Sequence, residues 1–267
     1  MIEPGARYVA MGSSFAAGPG LRPRAPGSPR RAGRSAANYA HLIAQRLDLA
    51  LTDVTYSGAT TGDVLKARAD GWPAQIDAVT AGTHLVTITC GGNDVGYVPR
   101  LLLTSLPGPL RALPSVRRRA DSYADPRRTD EWFDALGENL AAIAAEVRRR
   151  APGCRLVFVD YLTLIPADPA VPTGALPADV AEWGRRVSGR LAEVTQAAAR
   201  DAGCEYAAAS AASAGHHAWS PVPWTRRFHL SLRGGAPYHP NAAGMDAVAK
   251  LVLGIVRQAG LPVFRGT

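Results

Sequence analysis

The sequence is poor in cysteine and in long hydrophobic runs, and both shortages exclude classes of protein. Its 267 residues include only Cys90, Cys154 and Cys204, and none lies in a CxxC or mixed Cys/His pattern. His216 and His217 are neighbours without a second ligand cluster, so we expect no metal and no cofactor. The longest apolar runs have the length of a strand, which predicts no stable membrane insertion.

The N-terminal segment also lacks a feature, the secretory leader. Its first residues, MIEPGARYVAMG, have no basic stretch followed by a long apolar one. We therefore expect a cytoplasmic protein, and secretion is the alternative if a leader has been removed.

Cys154 and Cys204 each follow a glycine at the start of a predicted strand. We expect these thiols to be reduced and, if the two strands are neighbours, to lie close together away from the site.

Lysine is almost absent, with Lys66 and Lys250 as the two examples, so arginine carries the formal net charge of +8. Two explanations stay open: a compositional bias of the genome, or a basic surface that meets an anionic substrate or lipid. The basic runs, RPRAPGSPRRAGR and two copies of RRR, are not interleaved with aromatic residues. No nucleic-acid motif occurs, and we expect no nucleic-acid partner.

Short β-rich runs alternate with longer helical patterns along the chain. The predicted strands are 7–12, 51–57, 84–90, 155–161 and 205–210, and the predicted helices are 36–48, 73–80, 130–150, 178–202 and 241–259. This alternation predicts an α/β fold in which helices cover both faces of a parallel sheet. The length allows a sizeable core, and we expect one domain over 1–267.

Two segments interrupt the alternation. Residues 18–35 are rich in Gly, Pro and Arg and are predicted to form a surface loop. Residues 97–129 mix apolar runs with prolines, and such insertions at a ligand-binding edge often act as lids. A loop packed on the domain surface is an equal alternative for 97–129.

Polar residues and glycines follow the predicted strands, where ligands bind in open parallel sheets. The first strand is followed by GSSF (12–15), the second by SGATTGD with Gly58, and the third by GGNDVGY with Asn93. His239 lies in the last loop, GGAPYHPNAAG, just before a helix that Asn241 can cap. We expect these groups to meet at one edge of the sheet.

Their chemistry suits acyl transfer. A serine hydroxyl becomes a strong nucleophile when a base removes its proton, and histidine, with an ordinary pKa of about 6.5, serves as that base near neutral pH. The reaction develops an oxyanion that needs hydrogen-bond donors. The backbone N–H of Ser14 or of its neighbour, the N–H of Gly58 and the side-chain amide of Asn93 could provide them. Each pattern alone is typical of a turn, and their joint order indicates a serine hydrolase.

Four blocks of the sequence resemble the SGNH (GDSL-type) hydrolase superfamily of serine esterases and lipases: YVAMGSSFAAG, SGATTGDVL, VTITCGGNDVGY and HPNAAG. The resemblance implies a three-layer α/β/α sandwich around a flavodoxin-like, central, parallel five-stranded sheet. It implies Ser14 as nucleophile, His239 as general base, and Ser14, Gly58 and Asn93 as oxyanion-hole donors. The implied substrate is a small-molecule or lipid ester.

The sequence departs from that family at two positions. Ser13 replaces the usual aspartate before the nucleophile and places a second hydroxyl beside it. Ala236 stands where an acid commonly lies, three residues before the histidine. We therefore predict a Ser–His dyad in which the Ala236 carbonyl orients the ring of His239, within a loop stiffened by the following proline.

Side chains could also orient the ring. The main alternative is Asp160, at the end of the fourth predicted strand, although a structural role as a cap suits it as well. Weaker candidates are His216, His217 and Asp94. Three functions stay open: ester hydrolysis through an acyl-enzyme, acyl transfer to an alcohol at the same site, and binding without catalysis by a domain that has lost its acid.

Overall fold

The fold was analysed in a computed structural model, which describes residues 2–174, 176–230 and 235–258. Its centre is a five-stranded, all-parallel sheet with the order β2-β1-β3-β4-β5. The strands are β1 Arg7–Gly12, β2 Ala50–Asp53, β3 Thr83–Thr89, β4 Arg155–Val159 and β5 Glu205–Ala207. Strand order and direction confirm the predicted flavodoxin-like sheet.

Helices connect and cover these strands. They are α1 Ser14–Ala17, α2 Tyr39–Leu47, α3 Thr61–Leu65, α4 Tyr97–Thr104, α5 Gly108–Arg111, α6 Pro114–Ser122, α7 Pro126–Arg150, α8 Ala178–Asp201, α9 Ala209–Ala212 and α10 Ala242–Gln258. Helix α2 packs on α10, and α7 packs on α8. The connection from β1 through α2 to β2 runs toward one edge of the sheet, and the connection from β3 through α7 to β4 runs toward the other edge. Because such connections are right-handed, the helix pair α2 and α10 lies on one face of the sheet and the pair α7 and α8 on the opposite face. The three-layer α/β/α sandwich is thereby confirmed.

Several predicted boundaries were wrong. The predicted helix 73–80 is a single 3-10 turn, Gln75–Ala78, and the second strand ends at Asp53 because only four of its residues pair with β1. The segment 97–129 contains α4, α5, α6 and the first turn of α7 rather than loop. Residue 259, the predicted end of the last helix, lies outside the described residues.

The two ends of the sheet carry different kinds of residue. At the amino end, the neighbouring strands β4 and β5 bring Cys154 and Cys204 together, as expected, and neither forms a disulfide. Burial and, to a smaller extent, the nearby Cys204 raise the pKa of the Cys154 thiol to about 12. The residues whose chemistry suits acyl transfer lie at the carboxyl end of the sheet.

Candidate active site

The nucleophile candidate stands where β1 turns into α1. Gly12 has a φ of +128°, and a side chain there would collide with the carbonyl of Thr89 on β3, so only glycine fits this close approach. Gln75 reinforces the turn by accepting from the Gly12 N–H at 2.7 Å and donating to its carbonyl at 3.1 Å. Ser14 follows as the first residue of α1 and is held in a fixed position.

The geometry distinguishes the two adjacent hydroxyls. The Oγ of Ser14 lies 2.7 Å from Nε2 of His239, across 225 residues of sequence. The Oγ of Ser13 lies 3.1 Å from the hydroxyl of Tyr161 instead and is buried beneath the site. Ser14 is therefore the hydroxyl that His239 can deprotonate.

A backbone carbonyl fixes the tautomer of His239. Its Nδ1 lies 2.7 Å from the carbonyl oxygen of Pro237. A carbonyl oxygen can only accept, so Nδ1 carries the proton and Nε2 is left free to accept the Ser14 hydroxyl. Burial lowers the pKa of His239 to about 4, while the Pro237 contact opposes that shift and the positive charge of Arg226 adds to it.

The prediction that Ala236 orients the ring was wrong by one residue. The Ala236 N–H donates to the Pro19 carbonyl at 3.2 Å, which ties this residue to the loop after α1. Tyr238 then takes a φ of +57°, a left-handed conformation that turns the Pro237 carbonyl back toward the ring two residues later. Such a conformation is strained for a residue other than glycine and persists only where its surroundings impose it.

The surroundings of Tyr238 impose that conformation. Its side chain is buried, its ring packs near those of Trp219 and Phe228, and its hydroxyl lies 2.7 Å from the Oγ of Ser105. Ser105 directly follows α4 as its C-terminal cap, so the 97–129 segment contacts the histidine loop directly. The Tyr238 N–H donates to the Arg226 carbonyl, which adds a backbone restraint.

Asp160 lies in another environment. Its carboxylate accepts from the Tyr206 hydroxyl at 2.7 Å, from the Ser210 N–H at 2.9 Å and from the Ser210 hydroxyl, so it caps the turn that begins α9. No hydrogen bond joins it to His239 among the described residues. Burial raises the pKa of Asp160 despite these donors.

The weaker candidates also contact groups other than His239. The carboxylate of Asp94 accepts from the N–H and hydroxyl of Thr61 at the start of α3. The ring of His216 stacks on Trp224 with centroids 4.0 Å apart, and Nδ1 of His217 accepts from the Trp219 N–H. These three residues therefore have structural partners of their own.

The proposed oxyanion donors come from three strand ends. Among the described residues, the N–H groups of Ser14 and Gly58 have no acceptor, and Gly58 has a φ of +82°. Asn93 donates one side-chain N–H to the Ala59 carbonyl at 2.9 Å and keeps a second amide hydrogen. The arrangement suits a carbonyl oxygen that gains negative charge.

Tyr161 is a site residue that the sequence analysis missed. Its hydroxyl accepts from the Gly92 N–H at 2.8 Å and bonds Ser13, so it links the ends of β1, β3 and β4. A Cβ on Gly92 would lie 2.8 Å from the Tyr161 ring, which explains the glycine before Asn93. The position of Tyr161 at the end of the predicted strand 155–161 was the available signal.

The part of the chain that the structure describes contains no cluster of three His, Cys, Asp or Glu side chains that could hold a metal ion. Within the same residues, no helix is both long enough and apolar enough to cross a membrane.

This chain shares sequence similarity with a known family and with named lipases. The family described as GDSL-like Lipase/Acylhydrolase matches residues 10–247. The chain is 34% identical over 263 residues to Lipase 2 of Streptomyces coelicolor, a match that covers 93% of this chain and 85% of that protein. It is 28% identical to a lipase of Streptomyces rimosus, with 90% and 82% covered.

Solved structures show the same fold. The extracellular lipase of Streptomyces rimosus has a TM-score of 0.74 at 25% identity, covering 94% of this chain and 99% of that one. Phospholipase A1 of Streptomyces albidoflavus has a TM-score of 0.77 at 24% identity, with the same shares covered.

Proposed function

Because this chain belongs to the GDSL-like Lipase/Acylhydrolase family, it is a carboxylic ester hydrolase, and we propose that it works through an acyl-enzyme on Ser14 with a Ser–His dyad. The observation that carries the proposal is the relay from the Pro237 carbonyl through the ring of His239 to the Ser14 hydroxyl, with 2.7 Å at each contact. It holds a neutral imidazole in the tautomer that a general base needs.

Acylation follows from this geometry. Nε2 of His239 takes the Ser14 proton while Oγ attacks the ester carbonyl carbon, and the N–H groups of Ser14, Gly58 and Asn93 stabilise the resulting oxyanion. Collapse breaks the bond to the alcohol, and the leaving oxygen takes the proton from Nε2. The products of this half are a free alcohol and an ester between the acyl group and Ser14.

Deacylation repeats the sequence with water. Nε2 removes a proton from the water as it attacks the acyl-enzyme, and the proton then goes to the departing Ser14 oxygen. In a triad, a carboxylate stabilises the imidazolium that forms in both halves. Here the Pro237 carbonyl dipole takes that place, and the oxyanion that forms at the same moment offsets the positive charge.

Labelling and turnover test the proposal together. A fluorophosphonate probe should label wild type at Ser14, and Ser14→Ala should remove both the label and the hydrolysis of p-nitrophenyl esters of increasing chain length. Ser13→Ala is the matched control, because it removes the adjacent hydroxyl and should keep the label. A label that survives in Ser14→Ala and disappears in Ser13→Ala would overturn the assignment. Product analysis with added alcohol separates hydrolysis from acyl transfer.

A further inference from the structure

Ser13 and Tyr161 lie between the nucleophile and the oxyanion donors but take no part in acylation or deacylation. Both side chains are buried, and their hydroxyl oxygens lie 3.1 Å apart. The Tyr161 hydroxyl also accepts from the Gly92 N–H at 2.8 Å. Two hydrogen bonds therefore connect the residue before Ser14 to the residue before Asn93.

The Tyr161 hydroxyl is chemically suited to join two groups. Burial and, to a smaller extent, the nearby Cys90 thiol raise the pKa of Tyr161, so the hydroxyl keeps its proton. A neutral phenol both donates and accepts hydrogen bonds. While it accepts from the Gly92 N–H, it can still donate to Ser13 or accept from it. One oxygen atom thus links the turn after β1 to the turn after β3.

The ring of Tyr161 has packing contacts of its own, which do not involve the hydroxyl. Its centroid lies 4.6 Å from that of Phe15, the residue after the nucleophile, and the Phe15 ring lies 5.4 Å from the ring of His239. Tyr161→Phe would keep these contacts, so that substitution isolates the contribution of the oxygen atom.

Asn93 is tied on its other side to the second proposed donor. Its side chain donates to the Ala59 carbonyl at 2.9 Å, and Ala59 directly follows Gly58. This bond holds Asn93 against the Gly58 turn. It does not set the distance between the Asn93 amide and the N–H of Ser14.

The backbone hydrogen bonds that join β1 to β3 stop before Asn93. The Ser13 N–H donates to the carbonyl of Thr89 at 2.9 Å, and Thr89 is the last residue of β3. The chain then turns at Gly91, whose φ of +114° is accessible to glycine. The Tyr161 hydroxyl makes its contact beyond that turn and leads back to the nucleophile.

We propose that Tyr161 is a positioning residue of the oxyanion hole, whose hydroxyl sets the Asn93 amide at a fixed distance from the Ser14 N–H. Ser13 anchors that hydroxyl on the nucleophile turn. A donor stabilises an oxyanion only when it lies about 2.7–3.1 Å from the place that the charged oxygen takes, and a shift of Gly92 moves the next residue with it. The inference rests on the proposed function and adds residues that support its transition state.

Removal of the hydroxyl tests the inference. Tyr161→Phe should lower kcat on p-nitrophenyl butyrate about tenfold and keep KM within about twofold, because the buried Gly92 N–H loses its acceptor and Asn93 loses its fixed position. Tyr8→Phe is the matched control, since it removes a hydroxyl that lies 2.7 Å from Oγ1 of Thr87 in the core, and it should keep kcat. An unchanged kcat in Tyr161→Phe, or an equal loss in Tyr8→Phe, would overturn the inference.

Combination with Asn93→Ala separates positioning from a general structural defect. A structural defect multiplies with the loss of the amide, whereas a positioning residue has nothing to position once the amide is absent. Tyr161→Phe should therefore lower kcat less than about threefold in the Asn93→Ala background. A full tenfold loss in that background would show that Tyr161 does not act through Asn93.

Ser13→Ala removes the anchor and leaves the bond between Tyr161 and Gly92 intact. It should lower kcat about threefold, as expected from one neutral hydrogen bond, and should keep the fluorophosphonate label. Added to Tyr161→Phe it should cost nothing more, because that variant has already lost the contact. Losses that multiply in this pair would overturn the assignment of Ser13 as the anchor.

A melting temperature measured for every variant keeps the test decisive. If Tyr161→Phe fails to fold, Ser13→Ala in the Asn93→Ala background replaces it, and a loss that persists there would overturn the inference. Turnover that survives in Ser14→Ala would instead overturn the proposed function, so the two failures are distinguishable.

Discussion

Ser14 stands on regular structure, whereas His239 stands on a loop whose backbone is strained. A strand, a helix and the Gln75 side chain fix the turn around Gly12, and its one unusual dihedral belongs to a glycine. The histidine depends on the left-handed Tyr238 and on Ser105, which comes from another segment. In the proposed dyad the acceptor that orients the ring is the Pro237 carbonyl, so the loop must hold a backbone conformation that one acidic side chain would make unnecessary.

Removing the side chain of Ser14 or of His239 should have the largest effect on kcat. The effect should be similar for the two residues, although one lies on regular structure and the other on a strained loop. Ser14→Ala and His239→Ala should each lower kcat by roughly 10⁴ or more, because each leaves no activated nucleophile. The double variant should lose no more than either single one, since the two residues act as a unit. Losses that multiply in the double variant would show that the residues act independently.

Asn93 follows β3, in the part of the site that regular structure holds in place. Replacing its side chain should therefore lower the catalytic rate without changing stability. Asn93→Ala should lower kcat by about 10²–10³, the usual effect of losing one oxyanion donor. Its melting temperature should stay close to that of wild type, because the side chain makes one turn contact, to the Ala59 carbonyl. An unchanged kcat on several esters would remove Asn93 from the mechanism.

The strained loop that holds His239 should be sensitive to a substitution that alters neither Ser14 nor His239. Tyr238→Phe removes the hydroxyl that bonds Ser105 and should lower kcat about fivefold, with KM little changed, because the loop then holds the Pro237 carbonyl less firmly against Nδ1 of His239. Tyr8→Phe is the matched control, because Tyr8 bonds the Thr87 hydroxyl at the same 2.7 Å within the core.

Both tyrosine variants should lose about 1 kcal/mol of unfolding free energy, which denaturant titration measures. We expect the kcat loss in Tyr238→Phe alone. Equal kcat losses in the two variants would mean that stability, and not the position of His239, explains the effect.

Asp160→Asn should cost less than about tenfold in kcat, because Asp160 bonds Tyr206 and Ser210 rather than His239. A loss near 10⁴ with an unchanged circular dichroism spectrum would identify Asp160 as a triad acid and would refute the dyad.

The smallest expected effect is the dependence of activity on pH. His239 acts as a base only when neutral, and its pKa is lowered to about 4. Activity should therefore persist below the ordinary histidine pKa of about 6.5 and fall to half near pH 4 as the ring takes up a proton. An acid limb of kcat/KM centred near 6.5 would show that the ring is more solvated in the free enzyme.

Elements with strong local patterns were predictable, and elements defined by their neighbours were not. β1 was predicted at the observed bounds, because a buried parallel strand is a continuous apolar run. The helices α4, α5 and α6 were missed because prolines and short apolar runs hide their periodicity. In the site, Ala236 was predicted in place of Pro237 because the positive φ of Tyr238 leaves no mark in a residue type that rarely adopts it.

The sequence by itself predicted the sheet, its carboxyl edge and the candidate pair Ser14 and His239, with Ser13 as a second hydroxyl beside Ser14, because alternating apolar runs and strand-end residues are local features. The tertiary structure decided which hydroxyl meets the ring, which carbonyl orients it, and that Tyr161 and Ser105 support the two sides. These contacts join atoms far apart in sequence or depend on a single dihedral angle. A hydrogen bond exists only within a few tenths of an ångström, and only the folded chain fixes such distances.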